Sequence, residues 1–325
     1  MVKVLVTGAT GFIGRKVIKE LSDSFELKAL VRKSSKKLPL NVEQLDIGDF
    51  SDLKPSHCGN ALKRAFKNVE VVVHAAARVH IMNEDTLHPL DQFRKVNRDA
   101  TLLLARLAVE TGVKRFIFLS TVKVNGETTK PSKPFTPEDI NVPNDPYALS
   151  KFEAEQGLLA LAKEKNMEIV IIRPPLVYGP GVKGNFSSLM RWMAMPIPLP
   201  FGAIHNQRSL VALDNLVSFI NLCVNREKSS KASNQIFLIS DGQDISTTNL
   251  LKKVRQTHKH RSNSRITAWL VPVPVFLLMF IGRIIRKGEL IDRLFKSLQV
   301  DITKTQQLLG WRPKVTIDEQ LAKMK

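Results

Sequence analysis

Tyr147 and Lys151 stand four residues apart, a spacing that places two side chains on one face of an α-helix. An unperturbed tyrosine titrates at about pH 10, so proton exchange near neutral pH requires its pKa to fall by roughly three units. A neighbouring ammonium favours the phenolate and can supply part of that shift. Ser120 and Thr121, at the end of an apolar run, add hydroxyls that can hold a substrate oxygen. These residue types predict proton transfer to and from that oxygen, with Tyr147, Lys151 and a hydroxyl from Ser120 or Thr121 as a catalytic trio.

The first fourteen residues predict the element that brings a second reactant to this trio. An apolar run ends in three glycines spaced three apart, Gly8, Gly11 and Gly14, and an amphipathic helix begins at once. Gly8 can turn the chain with a positive φ, Gly11 leaves room for a pyrophosphate, and Gly14 lets the helix pack close to the sheet. The N-terminus of the helix then attracts the phosphates. The strand, turn and helix context, more than the glycine spacing, predicts a dinucleotide-binding loop.

The end of the second predicted strand, residues 25–31, is where such a fold reads the ribose of the dinucleotide. A carboxylate there would hold the 2′-hydroxyl of NAD. Arg32 and Lys33 occupy the position instead, and both suit a 2′-phosphate, since arginine can also stack on adenine. The residues therefore favour NADP(H), with NAD(H) as the alternative. Solvated lysines in an ordinary loop would leave the same pattern.

Apolar runs alternate with helical patterns along the first half of the chain, which predicts an α/β fold with a doubly wound parallel sheet. Ala75, Ala76 and Ala77 follow the fourth strand, where small residues let a cofactor approach. In the next helix, Asn97 sits beside the apolar stripe and needs a polar partner. The expected strands are 25–31, 42–47, 69–74, 115–120 and 168–173 after the first, with 209–213 and 236–240 returning to the sheet.

The sequence changes character after residue 173, where prolines become frequent around a short predicted helix, 186–195. We therefore expect two lobes. Residues 1–173 with 203–249 would form the dinucleotide-binding domain, and residues 174–202 with 250–325 would form a smaller lobe that closes over it. The most apolar stretch, 268–282, is too short and too proline-rich to span a bilayer, which takes about 20 residues. We interpret it as a buried lobe helix, with an interfacial membrane helix as the alternative.

Composition narrows the class of protein. The chain has 325 residues, 43% of them hydrophobic, and two distant cysteines, Cys58 and Cys223, without the spacing of a disulfide framework or a metal site. This pattern predicts a reducing compartment, and the strand that opens the chain leaves no room for a signal peptide, so cytoplasm is expected.

The net charge of +19 could favour binding to nucleic acid, to an anionic membrane or to an anionic substrate. No nucleic-acid module is recognisable, so we favour a solvated basic surface, with peripheral membrane contact second.

These motifs together resemble the extended short-chain dehydrogenase/reductase family, the NAD(P)-dependent epimerases, dehydratases and reductases of nucleotide sugars. The resemblance extends over essentially the whole chain, including Arg173-Pro-Pro-Leu-Val-Tyr-Gly-Pro180 and the closing Leu309-Gly310-Trp311. It implies cofactor contacts from Gly8, Thr10, Gly11, Phe12, Ile13, Gly14, Asp46, Ile47, Ala75, Ala76, Ala77, Asn97, Tyr147, Lys151 and Pro174. It places the catalytic hydroxyl at Thr121, because Thr121-Val-Lys-Val-Asn-Gly126 matches the family's S/T-x-x-V-Y-G, so that Thr121, Tyr147 and Lys151 form the catalytic trio. It also implies substrate contacts from Thr121, Asn185, Phe186, Pro200 and Arg208, a UDP-sugar as the substrate, and a homodimer as one assembly found in the family.

Three departures bear on the reaction. Asn125 replaces the tyrosine of the family's V-Y-G, and Leu176 stands where epimerases carry an asparagine. Val122 and Lys123 occupy the places of the acid pair that a dehydratase needs. The pattern resembles most the bacterial 4-ketoreductases that act on UDP-4-keto-6-deoxy-N-acetylhexosamines in surface polysaccharide and O-antigen synthesis. A UDP-glucose or UDP-GlcNAc 4-epimerase with bound NAD is the alternative. A non-catalytic NAD(P)-binding regulatory protein is disfavoured by the intact trio.

Overall fold

A computed structural model describes residues 1–53, 62–79, 89–261, 268–274, 276–278 and 294–324. Within these residues there are eleven strands. Seven of them pair in parallel to form a central sheet, and the other four form two separate pairs. In chain order the strands are β1 (Lys3–Thr7), β2 (Glu26–Val31), β3 (Glu43–Asp46), β4 (Val71–His74), β5 (Arg115–Leu119), β6 (Glu168–Arg173), β7 (Leu176–Tyr178), β8 (Pro198–Leu199), β9 (Leu210–Ala212), β10 (Gln235–Leu238) and β11 (Trp269–Leu270). The central sheet has the order β10-β6-β5-β4-β1-β2-β3, which confirms the doubly wound Rossmann fold.

Helices cover both faces of this sheet, and others pack outside it. They are α1 (Phe12–Leu21), α2 (a continuous run of Pro89–Arg94, the π-helical Lys95–Ala100 and Thr101–Glu110), α3 (Pro146–Glu164), α4 (Asn185–Ala194), α5 (Leu213–Val224), α6 (Thr247–Arg261), α7 (Thr303–Leu309) and α8 (Ile317–Ala322). The start of α3 follows its sequence signals, because the side chain of Asp145 accepts the backbone N–H of Ala148 at 2.8 Å and Pro146 opens the first turn.

The continuous apolar runs of the central strands are explained by burial on both faces. In β1, Val4 and Val6 belong to the hydrophobic cluster on one side of the sheet, whereas Leu5 belongs to the cluster on the other side. In β5, Ile117 and its neighbour Phe116 divide in the same way. A strand enclosed between two helical layers needs apolar side chains at every position, which is why these segments show no alternation.

The two strands expected to return to the sheet behave differently. β10 joins the central sheet beside β6, as predicted. β9 does not; it pairs with β7 in a separate two-stranded sheet, so the prediction for residues 209–213 was wrong in its partner. Pro174 and Pro175 follow β6, and the chain then forms β7 outside the main sheet. Because β9 pairs with β7, it also lies outside the main sheet.

A third hydrophobic cluster lies outside the sheet core and draws on α4, β8 and α6. It includes residues from both segments that we assigned to the smaller lobe, while the lobe boundaries themselves stay a prediction. The stretch 268–282 is corrected in its first part: Trp269 and Leu270 form β11, paired with β8, rather than a helix, and prolines follow at once. Residues 276–278 are helical as predicted, but Phe276 and Leu277 are exposed rather than buried. Residues 275 and 279–282 lie outside the described residues, as does Cys58. No helix in the described ranges combines the length and apolar content required to cross a membrane.

Candidate active site

The glycine turn between β1 and α1 is fixed by packing at its first and third glycines. Gly8 has φ +68°, and a Cβ there would lie 2.7 Å from the backbone of Ala75 and Ala76. A Cβ at Gly14 would overlap the carbonyl oxygen of Gly8. Gly11 is the N-cap of α1, no side chain caps it, and its N–H binds the Gly8 carbonyl at 2.9 Å. The first turn of α1 therefore presents its N–H groups beside a surface without side chains, the geometry that accommodates a pyrophosphate.

A cavity of about 300 Å³ extends from this turn along the ends of β2 and β4. Its walls carry Gly8, Thr10, Gly11, Arg32, Asp49, Phe50, Ala75, Ala76 and Ala77. Asp46 and Ile47, which the family resemblance places here, are not among the lining residues. The Asp46 carboxylate instead accepts the N–H of Gly48, and Ile47 packs into the sheet core. Lys33 is exposed and also lies off this cavity.

Asp49 is the acid that the cavity contains, and sequence reasoning missed it. Its carboxylate lies 3.5 Å from the Arg32 guanidinium, and it caps the following turn by accepting the N–H of Ser51 at 2.9 Å. That backbone hydrogen bond, assisted by the hydroxyl of Ser51 and by Arg32, lowers the pKa of Asp49. The signal in the sequence was the Asp-Phe-Ser pattern of a capped turn, placed a few residues beyond the predicted acid.

A larger cavity of about 480 Å³ contains the predicted catalytic trio. Thr121 from the end of β5 and Tyr147 and Lys151 from the first turns of α3 line it together. Ile13, Pro174, Phe186 and Arg208 also line it, as the resemblance implies. Ala75, Ala77 and Val79 belong to both cavities, so the two form one groove from the glycine turn to the trio. A dinucleotide bound at Gly11 would extend toward Tyr147.

The remaining predicted residues lie beside this groove. Pro200 follows β8 and does not line the larger cavity. Phe12 packs against the sheet core at the start of α1. Asn185 begins α4, and its side chain lies outside what the structure describes. The cavity is also lined by Leu189, Thr247 and Leu250, among other residues that the sequence did not single out.

Asn97 lies behind the groove with its amide saturated by the protein. Its Oδ1 accepts the N–H of Arg78 at 2.9 Å, and its Nδ2 donates to the carbonyl of Arg78 and to Ser150 Oγ. Ser150 in turn donates to the carbonyl oxygen of Tyr147. Asn97 is fully buried within the π-helical segment of α2. Its contacts therefore join the segment after β4 to the turn of α3 that carries the tyrosine.

Burial shifts the pKa values of Lys151 and Tyr147, and the shift of Tyr147 is opposite to the one expected from the sequence. Lys151 donates from Nζ to the carbonyl of Leu119 at 2.8 Å and lies 4.3 Å from the centre of the Phe118 ring. Desolvation lowers the pKa of Lys151 to about 7, against the opposing effect of Glu155. Desolvation, with Asp145, raises the pKa of Tyr147. The expected depression of the tyrosine pKa is thus not produced by the chain alone.

A buried ion pair lies next to the residues that carry the trio. Arg173 at the end of β6 pairs with Glu155 of α3 at 2.6 Å, and both side chains are completely buried. Glu155 also accepts a hydrogen bond from Ser120, the residue before Thr121. Arg173 reaches Asn125, whose Nδ2 donates to the carbonyls of Thr136 and Asp139. Asn125, a departure from the family pattern, therefore holds the proline-rich loop beside the site.

His74 is a second buried polar group that sequence reasoning did not use. Its Nδ1 lies 2.9 Å from Thr7 Oγ1 and its Nε2 lies 2.9 Å from Thr101 Oγ1. Because Thr101 donates to the carbonyl of Asn97, the histidine must donate from Nε2 and accept at Nδ1. Burial, followed by the charge of Lys151, lowers the pKa of His74 to about 3. A neutral imidazole therefore joins β1, β4 and α2 beneath the groove.

The fold and the groove define a class of protein: a Rossmann α/β domain with a pyrophosphate turn, followed by a tyrosine–lysine pair at the end of the groove. Comparison with known proteins supports this class. The family model described as "NAD dependent epimerase/dehydratase family" matches residues 4–240. The chain belongs to this family.

Individual relatives are similar over most of their length. A UDP-glucose 4-epimerase of Vibrio cholerae is 43% identical over 97% of this chain and 92% of its own. An N-acetyl-alpha-D-glucosaminyl-diphospho-ditrans,octacis-undecaprenol 4-epimerase of Escherichia coli O157:H7 is 29% identical over 85% of this chain and 77% of its own. Among solved structures, the UDP-glucose 4-epimerase of Thermotoga maritima with UDP-glucose superimposes with a TM-score of 0.75 at 24% identity, covering 98% of this chain and 96% of its own.

Proposed function

We propose that this enzyme exchanges hydride and a proton at C4 of a UDP-linked hexose, and that it works as a reductase of a UDP-4-keto-6-deoxy-N-acetylhexosamine. One observation carries the proposal: Thr121, Tyr147 and Lys151 converge on one wall of the cavity that continues into the glycine turn. A structural or regulatory dinucleotide-binding protein would need the turn but not this convergence of groups that donate and accept protons.

The residues present fit a nicotinamide dinucleotide. The turn at Gly8 and Gly11 is a cradle that side chains would fill, and Thr10 lies at its rim. Ala75 and Ala77 keep the middle of the groove shallow, and Pro174 and Ile13 border its inner end. When bound, the nicotinamide supplies or accepts the hydride. Lys151, at the inner end of the groove, has the three donors needed to hold ribose hydroxyls.

The proton chemistry belongs to Tyr147. In reduction, its phenol donates a proton to the C4 oxygen, which Thr121 orients by a hydrogen bond. The buried site favours the neutral phenol, as the raised pKa shows, so the tyrosine is protonated and ready to donate. Donation of that proton leaves a phenolate, which a protonated Lys151 beside it would stabilise. The tyrosine then regains a proton from solvent, and Lys151 can take part in this exchange because its pKa of about 7 lets it gain or lose a proton near neutral pH.

The lobe side of the cavity suits the nucleotide and the sugar. Phe186 is stacked on the buried Tyr178 and offers an apolar wall. Arg208 contributes a guanidinium whose Nη1 donates to the carbonyl of Lys296, which orients it, and burial lowers its pKa. A planar guanidinium is the group that best grips a diphosphate. We propose Arg208 as the diphosphate contact, and Phe186 and Leu189 as the contacts of the nucleoside and the deoxygenated sugar.

Two features favour reduction over epimerisation. Leu176, which lines the cavity and is 43% exposed, cannot hydrogen-bond a substrate at the position where epimerases carry an asparagine. Arg32 lines the adenosine end and suits the 2′-phosphate of NADPH, a reductant that is consumed once per turnover. Asp49 opposite Arg32 offers a carboxylate to ribose hydroxyls, so NAD(H) is the second candidate cofactor.

The second candidate function is a 4-epimerase with NAD retained in the groove. The observation that favours it is the 43% identity to the Vibrio cholerae enzyme named UDP-glucose 4-epimerase. The same trio would serve, with the proton moving first to Tyr147 and then back to the sugar oxygen. This reaction further requires the 4-keto sugar to present its opposite face before reduction, within the same cavity of about 480 Å³.

Product analysis distinguishes these reactions. The purified protein is incubated separately with UDP-4-keto-6-deoxy-GlcNAc, UDP-GlcNAc and UDP-glucose, each with NADPH or NADH, and products are identified by NMR while cofactor oxidation is followed by absorbance. We also include polyprenyl-diphosphate-linked GlcNAc, since one relative is named for that substrate. Reduction predicts one cofactor oxidised per keto sugar consumed. Interconversion of gluco and galacto sugars without net cofactor oxidation would replace our proposal with the epimerase.

A further inference from the structure

Five large apolar side chains are exposed on two stretches of chain, one just before β8 and one at and after β11, and β8 and β11 are paired. We call them the lobe apolar patch. Their exposed fractions run from 38% to 75%, and they are Met195, Ile197, Trp269, Phe276 and Leu277. Single exposed apolar residues are ordinary on any protein surface, but a contiguous group marks a surface used for contact.

The patch is built on paired backbone. Trp269 donates its N–H to the carbonyl of Ile197 at 3.3 Å, and the β8–β11 register pairs Trp269 with Pro198, the residue after Ile197. Val271 continues the pairing with Leu199 at 2.9 Å. Gly202 meets the backbone of Val271 so closely that a Cβ would lie 2.8 Å from it. The segment that carries Trp269 is therefore held against the lobe, with the indole half exposed.

The stretch of sequence that carries Trp269, Phe276 and Leu277 is basic. Between Asp244 and Glu289 the sequence contains nine lysines and arginines and no acidic residue. Within the described part, Lys252 is exposed on α6, which packs against α4, and Arg191 is exposed one helical turn before Met195. The whole chain carries a net charge of +19. This charge does not serve the proposed reaction, which needs one or two cations at a diphosphate.

Apolar and aromatic side chains flanked by arginine and lysine match the chemistry of an anionic lipid surface. Tryptophan inserts its ring at the level of the headgroups, aliphatic side chains enter the acyl region, and basic residues bind the lipid phosphates. A second copy of this chain fits less well, because it would bring two acid-free basic segments together without compensating charge. We propose that the lobe apolar patch docks the enzyme peripherally on a membrane that contains anionic phospholipid.

Vesicle sedimentation tests this proposal. The full chain is mixed with vesicles of phosphatidylcholine alone or with about 30% phosphatidylglycerol, at low, physiological and high salt. The test variant is Trp269→Ser combined with Phe276→Ser, and the matched control is Leu40→Ser combined with Ile140→Ser, which are also exposed apolar residues but lie elsewhere. Since these four side chains are at least half exposed or close to it, we expect the variants to fold, as circular dichroism and substrate turnover can verify.

We expect the wild-type protein and the control to sediment with anionic vesicles, and at least tenfold less of the test variant to do so at equal turnover. Salt should weaken binding of the wild type, since the charge contribution is screened. Equal sedimentation of the test variant and the wild type would overturn the proposal. So would a wild type that ignores phosphatidylglycerol, or a dimer in ultracentrifugation that the test variant alone converts to monomer. None of these outcomes depends on which sugar the enzyme reduces.

Discussion

The two ends of the groove are built in opposite ways. At the inner end, Lys151 is 1% exposed and donates to a backbone carbonyl, and the ion pair beneath it is fully buried. At the adenosine end, the side chain of Arg32 is 74% exposed and that of Asp49 is 45% exposed, with 3.5 Å between them. Charges in a buried site act strongly because water does not screen them, whereas exposed pairs contribute little. The inner end is therefore suited to chemistry, and the outer end to a modest preference between cofactors.

The largest loss of turnover is expected from Tyr147→Phe, at the buried end of the groove. Loss of the phenolic proton should reduce turnover by about 10²–10⁴-fold, the usual contribution of a positioned acid or base. Cofactor affinity, measured by fluorescence titration, should stay nearly unchanged because the ring remains. The chain offers a matched control in its only other tyrosine, Tyr178, which is buried and donates to Asp241 at 2.7 Å.

Tyr178→Phe should lower stability by about 1–3 kcal/mol, because it leaves part of the buried Asp241 unpaired. Its turnover should remain within a few-fold of the wild type at a temperature where the protein is folded. Equal losses of turnover in the two variants would remove the distinct role of Tyr147.

Glu155→Gln removes the negative charge of the buried ion pair between Arg173 and Glu155. Removing the charge leaves Arg173 without its counter-ion in the core, and such losses cost about 3–5 kcal/mol of the free energy of unfolding. Denaturant unfolding measures this cost. Glu153 is the control on the same helix, since it pairs with Arg94 and Arg98 but is partly exposed. Glu153→Gln should cost about 1 kcal/mol or less.

Glu155→Gln has a second readout that a purely structural role would not change. The carboxylate opposes the desolvation that lowers the pKa of Lys151, so its neutralisation should lower that pKa further. The limb of the pH–rate profile that reports Lys151 should then move to lower pH. An unchanged limb, together with unchanged stability, would contradict the coupling of Glu155 to the site.

His74 makes folding stability depend on pH. Its pKa of about 3 in the fold lies below the usual histidine value of 6.5, so the neutral form is favoured by folding. Stability from this residue is complete above pH 6.5 and falls as the pH drops toward 3, by about 1.4 kcal/mol per pH unit. His74→Gln should flatten that slope in denaturant unfolding between pH 6.5 and pH 4. His205→Gln, at an exposed position, serves as the control and should leave the slope unaltered.

The smallest effect is expected at the exposed end of the groove. Arg32→Asp should lower the ratio of kcat/KM for NADPH over NADH by about three- to tenfold, since an exposed charge contact contributes about 1 kcal/mol. Lys33→Asp, which lies off the cavity, should change the ratio less. Steady-state kinetics with both cofactors measures this. An unaltered ratio in Arg32→Asp would assign cofactor choice to Asp49 and to NAD.

The difference between the two ends also explains what the sequence could predict. The glycine turn, the parallel strands and the capped start of α3 follow from local patterns, because backbone conformation and burial on both faces restrict residue type. The trio was predicted because Thr121, Tyr147 and Lys151 lie at element ends that a parallel sheet brings together. Confirmation of the fold supports that placement, while the roles of these residues remain proposals.

Other features depend on side-chain contacts between distant segments, which one sequence does not reveal. Nothing local indicates that Glu155 pairs with Arg173 or that His74 joins Thr7 to Thr101. We expected Asp46 at this end of the groove, but the acid that lines the smaller cavity is Asp49, which caps the short turn three residues further on. The strand 209–213 found its partner in β7, outside the main sheet, because two prolines redirect the chain after β6.

The central claim is that hydride is exchanged at C4 of the sugar, opposite Tyr147, from a nicotinamide bound at the glycine turn. The most direct measurement uses NADPH or NADH deuterated at C4 of the nicotinamide, on its transferred face, with UDP-4-keto-6-deoxy-GlcNAc and NMR of the product. We predict one deuterium at C4 of the sugar per cofactor oxidised, and labelling that is slower by about 10²–10⁴-fold with Tyr147→Phe. Deuterium at another carbon, or cofactor oxidation without label in the sugar, would contradict the account.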